Sequence, residues 1–259
     1  MSEEKFVYFV TAGGLGNQMF EYAAAYAIAK AKGAKLYITN CTDNPHNKSN
    51  HNYVKKLFLR GVECSDAPGE CQKFFHKDFF PWDPNDAPIS CQLHGHFQYY
   101  PALVPILDDI LEDFRKGLEV GERTDAIFFH IRRGDYVSKS NFHFLQGKDY
   151  YLKSYLDLIR KLQKIPEKVY VFSDDIEWCK EQDWMKSIKN LEFFEEEDEL
   201  KALAKMATCG GGAIIANSTF SWWGAILSKT QHVYYPSRWI GCPVYDLFPS
   251  NWICIETTT

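Results

Sequence analysis

Short apolar runs alternate with longer stretches in which apolar residues recur at helical spacing, and this alternation begins twice along the chain. Residues 6–11 (Phe-Val-Tyr-Phe-Val-Thr) read as a first β-strand, and the alanine-rich residues 19–32 read as a helix closed by Gly33. Residues 34–39 form a second strand. Between the first strand and the helix lies Ala12-Gly13-Gly14-Leu15-Gly16-Asn17-Gln18, so the chain opens as strand, glycine loop, helix and strand, a Rossmann-like βαβ start. Residues 41–95 are polar and irregular. A strand is expected over 90–97, and a helix over 101–118, where Leu103, Ile106, Leu107, Ile110, Leu111 and Phe114 fall at helical spacing. Residues 117–124 are the expected linker. The alternation then restarts, with strands over 126–130, 168–172, 191–194, 212–216 and 232–235 and helices over 149–163, 176–187, 200–208 and 220–227. Apolar strands interleaved with helices predict an α/β protein with parallel sheet covered on both faces.

Composition narrows the function classes. With 46% hydrophobic and 24% charged residues over 259 positions, the chain is a soluble globular protein of one large or two smaller domains. A formal net charge of −5 offers no face to a polyanion, which argues against a nucleic-acid partner. The 16% aromatic content suits a dense core or a sugar-binding cleft. The eight cysteines form no C-x-x-C pair, and no histidine spacing completes a zinc site. No apolar run reaches membrane-span length and no secretory leader opens the sequence, so free thiols and a cytoplasmic location are expected. On that expectation the glycosylation sequons Asn47-Lys48-Ser49 and Asn217-Ser218-Thr219 stay unmodified.

The candidate chemistry gathers at strand ends. His130-Ile131-Arg132-Arg133-Gly134-Asp135-Tyr136 follows a buried strand with an imidazole, two guanidiniums and a carboxylate. Adjacent arginines there fit either a diphosphate clamp at the carboxyl edge of a parallel sheet or a salt-bridge cluster. Asn217-Ser218-Thr219 sits between a strand and a helix, where Ser218 or Thr219 serves as a cap, as a phosphate cradle, or as both. In Phe220-Ser221-Trp222-Trp223-Gly224 the two tryptophans cannot share one helix face, so either one of them is exposed or both pack in the core. Asp174 and Asp175 end another strand and fit either ribose or guanine recognition or a helix cap. The loop with Gly13, Gly14, Gly16, Asn17 and Gln18 lets a backbone approach a ligand, with Asn17 and Gln18 as uncharged donors, or forms a plain tight turn. It is not the dinucleotide fingerprint, because Met19 replaces the third glycine and Thr39-Asn40 the ribose-binding acid. His94, His96 and Gln98 end a further strand, Arg238 and Trp239 follow the last, and the acidic run 195–199 reads as solvated surface.

Four runs in order, GGLGNQMFEYAAAYAIA (13–29), HIRRGDY (130–136), FSDD (172–175) and IIANSTFSWWGAIL (214–227), together with GHFQ (95–98) and YPSRW (235–239), resemble the α-1,2-fucosyltransferases of glycosyltransferase family 11. The resemblance implies a GT-B-like architecture of two Rossmann-like domains facing a cleft, 1–118 on the acceptor side and 119–259 binding GDP-fucose. It implies an inverting, metal-independent transfer of L-fucose from GDP-β-L-fucose to the 2-hydroxyl of a terminal galactose on a glycan acceptor, with no cofactor. Arg132 then meets the β-phosphate, stabilising the departing diphosphate, and Arg133 is a lesser contact or structural. Ser218 and Thr219, with Asn217, become phosphate donors at the helix end. His130, Asp174 and Asp175 hold guanosine. Asn17, with Gly14 and Gly16, lies near the sugar, and Asp135 is the candidate base or an ion-pair partner. The chain departs from the family pattern at Glu21, where glutamine is frequent, at GHFQYYP, where G-Y-x-Q-S-x-K-Y-F is frequent, and at Ala202, where an aspartate is frequent; if that acid reads guanine, either Asp198 or Glu199 substitutes or the nucleotide contact differs. A fucosyltransferase of another linkage, a user of another GDP-sugar, and a catalytically silent glycan-binding protein on the same fold are the competing readings.

Overall fold

A computed structural model describes residues 4–41, 49–139 and 142–257. The chain divides into two α/β units, Met1–Glu119 with Val244–Pro249, and Val120–Pro243 with Ser250–Thr259. The sequon residues Asn47 and Lys48 lie outside the described residues.

In the first unit, β1 (Phe6–Val10) leads into α1 (Leu15–Lys32) and β2 (Lys35–Thr39). There follow α2 (Tyr53–Lys56), β3 (Val62–Glu63), β4 (Gln72–Phe75), β5 (Cys91–His94), α3 (Tyr100–Leu103) and α4 (Leu107–Gly117). The five strands pair in the order β3-β2-β1-β5-β4, all parallel. Central β1 buries Phe6 through Phe9, as a strand covered on both faces must. α1 begins at Leu15 rather than Met19, with Gly14 as its N-cap, so Gly16, Asn17 and Gln18 occupy the first helical turn instead of a loop. Gly33 closes it in the left-handed conformation at φ 59°. The helix expected over 101–118 is broken by a 3₁₀ turn at Val104–Ile106. Pro105 has no N–H to donate, and its ring clashes with the carbonyl one turn back.

The second unit carries β6 (Ile127–Ile131), α5 (Gly134–Ser138), α6 (Lys148–Leu162), β7 (Val169–Ser173), α7 (Ile176–Glu181), α8 (Asp183–Lys186) and β8 (Leu191–Phe193). It continues through α9 (Glu199–Thr208), β9 (Gly212–Ile214), α10 (Thr219–Ser228), β10 (Val233–Pro236) and β11 (Ile253–Ile255). Its parallel sheet has the order β11-β10-β9-β6-β7-β8. Side chains of β6 alternate between faces: Ile127, Phe129 and Ile131 join Tyr151, Tyr155, Val169 and Val171 in one cluster. Phe128 meets Phe172 with ring centroids 6.0 Å apart, and His130 meets Phe220 at 5.9 Å. Each fully buried apolar side chain contributes about 1.5–3 kcal/mol. Trp222 and Trp223 are both fully buried, 4.9 Å apart edge to face, so neither of them is exposed. The expected helix over 176–187 splits into α7 and α8 at Gln182, whose ψ of 112° is extended.

In each unit the chain builds outward on one side of its first strand and then crosses to the other. The second sheet has the strand order of a six-stranded Rossmann fold, with its reversal between β6 and β9. The first sheet reverses between β1 and β5. The carboxyl ends of those strand pairs are where open α/β sheets bind ligands.

Candidate active site

The motif after β6 folds as a compact ion network. Arg132 pairs through Nη2 with Asp135 at 2.8 Å and through Nη1 with Asp174 at 2.9 Å. The other Asp174 oxygen accepts the backbone N–H of Arg133 at 2.8 Å. Arg133 donates from Nε to Asp175 at 3.0 Å, and its guanidinium lies 3.8 Å from the centroid of Trp178. Lys139 reaches Asp135 at 3.4 Å. Three carboxylates therefore answer the cations Arg132, Arg133 and Lys139. Arg132 keeps its remaining N–H donors uncommitted and lies half-buried over Tyr136, while Arg133 is held on both its edge and its face. Both arginines keep Nη donors beyond these contacts, and the Arg132 side chain is the more exposed of the two, at 30% against 20%.

The aspartates after β7 build this turn. Asp175 caps α7, accepting from the Trp178 N–H at 3.3 Å. Asp174 packs so closely on Gly134 that a Cβ there would lie 2.2 Å from Oδ2. Both carboxylates meet the arginines and the chain turn, and Asp175 takes the helix-cap role that the sequence left open. Asp135 is held the same way. Partial burial pushes its carboxyl up, but the Arg132 guanidinium and then Lys139 win, and it stays below the ordinary value. A carboxyl held ionised between two cations is a poor proton acceptor, so the ion-pair role takes precedence over that of base.

His130 is buried at 5% exposure with Nδ1 unpartnered. Burial, reinforced by Arg132, pushes it down to about 3, so the imidazole is neutral. Across the reversal, Ser218 is the N-cap of α10 but makes no side-chain cap bond, and no acid stands in the first turn. The positive end of this helix, beginning at Thr219, is uncompensated by any acid of its own. Asn217 is buried, donating from Nδ2 to the Trp239 carbonyl at 2.8 Å and accepting from Gln146 at 3.4 Å. Its side chain therefore fixes two loops, and as a sequon it is inaccessible in the folded chain. Tyr136 donates to the Asn217 carbonyl at 2.9 Å and so ties the arginine motif to the α10 loop. Burial raises the Tyr136 hydroxyl to about 12, which keeps it a donor.

At the reversal of the first sheet, Gly13 takes φ 71°, a conformation that favours glycine. A Cβ on Gly14 would meet nothing within 4 Å, and nothing in the structure requires glycine there. Gln98 donates to Asn17 Oδ1 at 3.0 Å. His96 Nδ1 lies 2.9 Å from the buried Glu21, which also accepts the Ala12 N–H at 3.3 Å. Burial pushes the Glu21 carboxyl up against the pull of His96, whereas Glu21 raises His96 against burial, so the pair holds its proton more tightly as a unit. Two of the departures from the family pattern thus meet in one contact. Asp198, a candidate for guanine, caps α9 through the Leu200 N–H at 2.9 Å. Gln146 and the Tyr136 hydroxyl bond were not anticipated. Tyr136 stood in the motif, but Gln146 lies in a polar loop with no periodicity to mark it.

Two Rossmann-like units in tandem, each with a reversal edged by polar side chains, are the architecture of the GT-B class. Residues 73–253 match the model of glycosyl transferase family 11, and the chain belongs to that family. An alpha-1,2-colitosyltransferase of Escherichia coli is 29% identical, across 95% of this chain and 97% of its own length. A galactoside 2-alpha-L-fucosyltransferase of Caenorhabditis elegans is also 29% identical, across 86% of this chain and 69% of its own. Among solved structures, POFUT1 in complex with GDP is alike in fold, with a TM-score of 0.51 at 13% identity, covering 98% of this chain and 99% of that one. No helix among the described residues is long and apolar enough to cross a membrane.

Proposed function

We propose that the protein transfers L-fucose from GDP-β-L-fucose to the 2-hydroxyl of a terminal galactose, inverting the anomeric centre without a metal ion. The observation that carries this reading is the reversal of the second sheet, where Arg132, with donors to spare, stands after β6 and the acid-free start of α10 stands after β9. That pairing suits a diphosphate leaving group, whose developing charge guanidinium and backbone N–H groups stabilise. The acceptor oxygen bonds to the anomeric carbon as the bond to the β-phosphate breaks, and its electron pair leaves with GDP. Because bond breaking leads, the acceptor proton needs only a weak acceptor, and Asp135 serves chiefly to hold Arg132. Asn17, beside Gln98, is assigned to the sugar side.

The relatives named for colitosyl and for fucosyl transfer share the alpha configuration and position 2 in their names. The linkage is therefore better supported than the sugar, and another GDP-sugar donor is the second reading. Arg132→Ala is expected to abolish transfer while circular dichroism stays that of the wild type. Retained transfer in a folded variant would remove Arg132 from the site.

A further inference from the structure

Arg132 has donors to spare but already faces two carboxylates, and Arg133 and Lys139 are paired as well, so a diphosphate at the second sheet would draw further charge from elsewhere on the same edge. Arg238 follows β10, the strand beside β9. It is half-buried, and among the described residues no carboxylate lies within ion-pair reach of it and no hydrogen-bond acceptor meets its guanidinium. Its planar group instead lies 3.8 Å from the centroid of Phe144, which holds the fork in place while leaving every N–H free.

The backbone beneath it is fixed on both sides. Gln146 Nε2 donates to the Arg238 carbonyl at 3.2 Å and to Asn217 Oδ1 at 3.4 Å, and Asn217 Nδ2 donates to the Trp239 carbonyl at 2.8 Å. Asn217 immediately precedes Ser218 and Thr219, so the same amide pair locks Arg238 to the start of α10. A guanidinium supported by an aromatic face, without a counter-ion, and tied to a loop that opens a helix is poised for an anion.

We propose that Arg238 binds the diphosphate of the nucleotide donor together with the α10 start, as a cation that has no carboxylate partner among the described residues. The inference rests on the nucleotide-donor reading above. It is tested by calorimetric titration of the wild type, Arg238→Gln and Arg238→Lys with GDP and with guanosine. The glutamine variant is expected to bind GDP about 10- to 100-fold more weakly, the range for losing one or two charge-assisted hydrogen bonds. Its guanosine affinity stays unchanged, and lysine restores part of the GDP affinity. Equal GDP affinity in wild type and Arg238→Gln would overturn this inference alone, as would an equal loss for GDP and guanosine, which marks a merely structural residue. Failure of the wild type to bind GDP would overturn the donor reading and this inference with it.

Discussion

Gly134→Ala adds one methyl group where the arginine motif meets β7. The new Cβ would stand 2.2 Å from Asp174 Oδ2 and 3.2 Å from its Cγ. A long side chain could swing aside, but Asp174 is short and pinned at both oxygens, by Arg132 at 2.9 Å and by the Arg133 N–H at 2.8 Å. Retreat therefore stretches both contacts. Overpacking costs about 1–3 kcal/mol, and each charged hydrogen bond weakened adds up to about 1.5–3 kcal/mol. Replacing glycine by alanine in a helix returns at most about 1 kcal/mol. With the two contacts stretched rather than broken, at about 1 kcal/mol together, their loss offsets the helix gain, and the net loss should be about 1–3 kcal/mol in urea unfolding, with weaker GDP binding because Arg132 loses a support. The control is the same change in an Asp174→Ser background, where the methyl meets a smaller group and the cost should fall by at least about 1 kcal/mol. Equal costs in the two backgrounds, or a Gly134→Ala protein as stable as the wild type, would refute the packing argument.

Two further outcomes follow from the titratable groups. His130 falls from 6.5 to about 3 on folding through burial and then Arg132, so the unfolded chain binds the extra proton and stability drops as pH falls from about 6.5 towards 3. Linkage puts this at about 1 kcal/mol between pH 7 and 5.5. His130→Phe should remove that part of the slope in urea melts, and an unchanged acid limb would show that another group sets it. In Glu21→Gln, His96 loses the carboxylate that raises it while burial remains, so its titration followed by NMR should move down; no movement would mean that Glu21 does not govern it. The His96 contribution to stability, full below its ordinary 6.5 and lost as pH rises through the raised value, should shrink in the same variant.

The parallel α/β architecture was legible because each central strand is an apolar run and the helices between them keep their period. Boundaries were less so. Pro105 marks its own break, but nothing in Ile253–Ile255 separates a three-residue edge strand from a tail. At the site, the sequence announced the arginines yet left open what they meet. That depends on register: β6 and β7 pair Ile131 with Ser173, which brings Asp174 beside Arg133 and Gly134. A carboxylate and a guanidinium some forty residues apart in sequence cannot be matched before that pairing is known. The same holds for Glu21 and His96, joined only because β1 and β5 are neighbours. The two loops that the Asn217 amide closes were not legible either, because its partners Gln146 and Trp239 lie in distant segments of the chain.

Fucosyl transfer can be read from its product. The protein would be incubated with GDP-fucose and lactose, then with type 1 and type 2 galactosides, in EDTA, and the product linkage read by NMR. The proposed reaction gives fucose on the 2-hydroxyl of galactose in the α configuration, formed without added metal. A product fucosylated at another hydroxyl, a strict need for a metal ion, or GDP-fucose left intact while another GDP-sugar is consumed would contradict it.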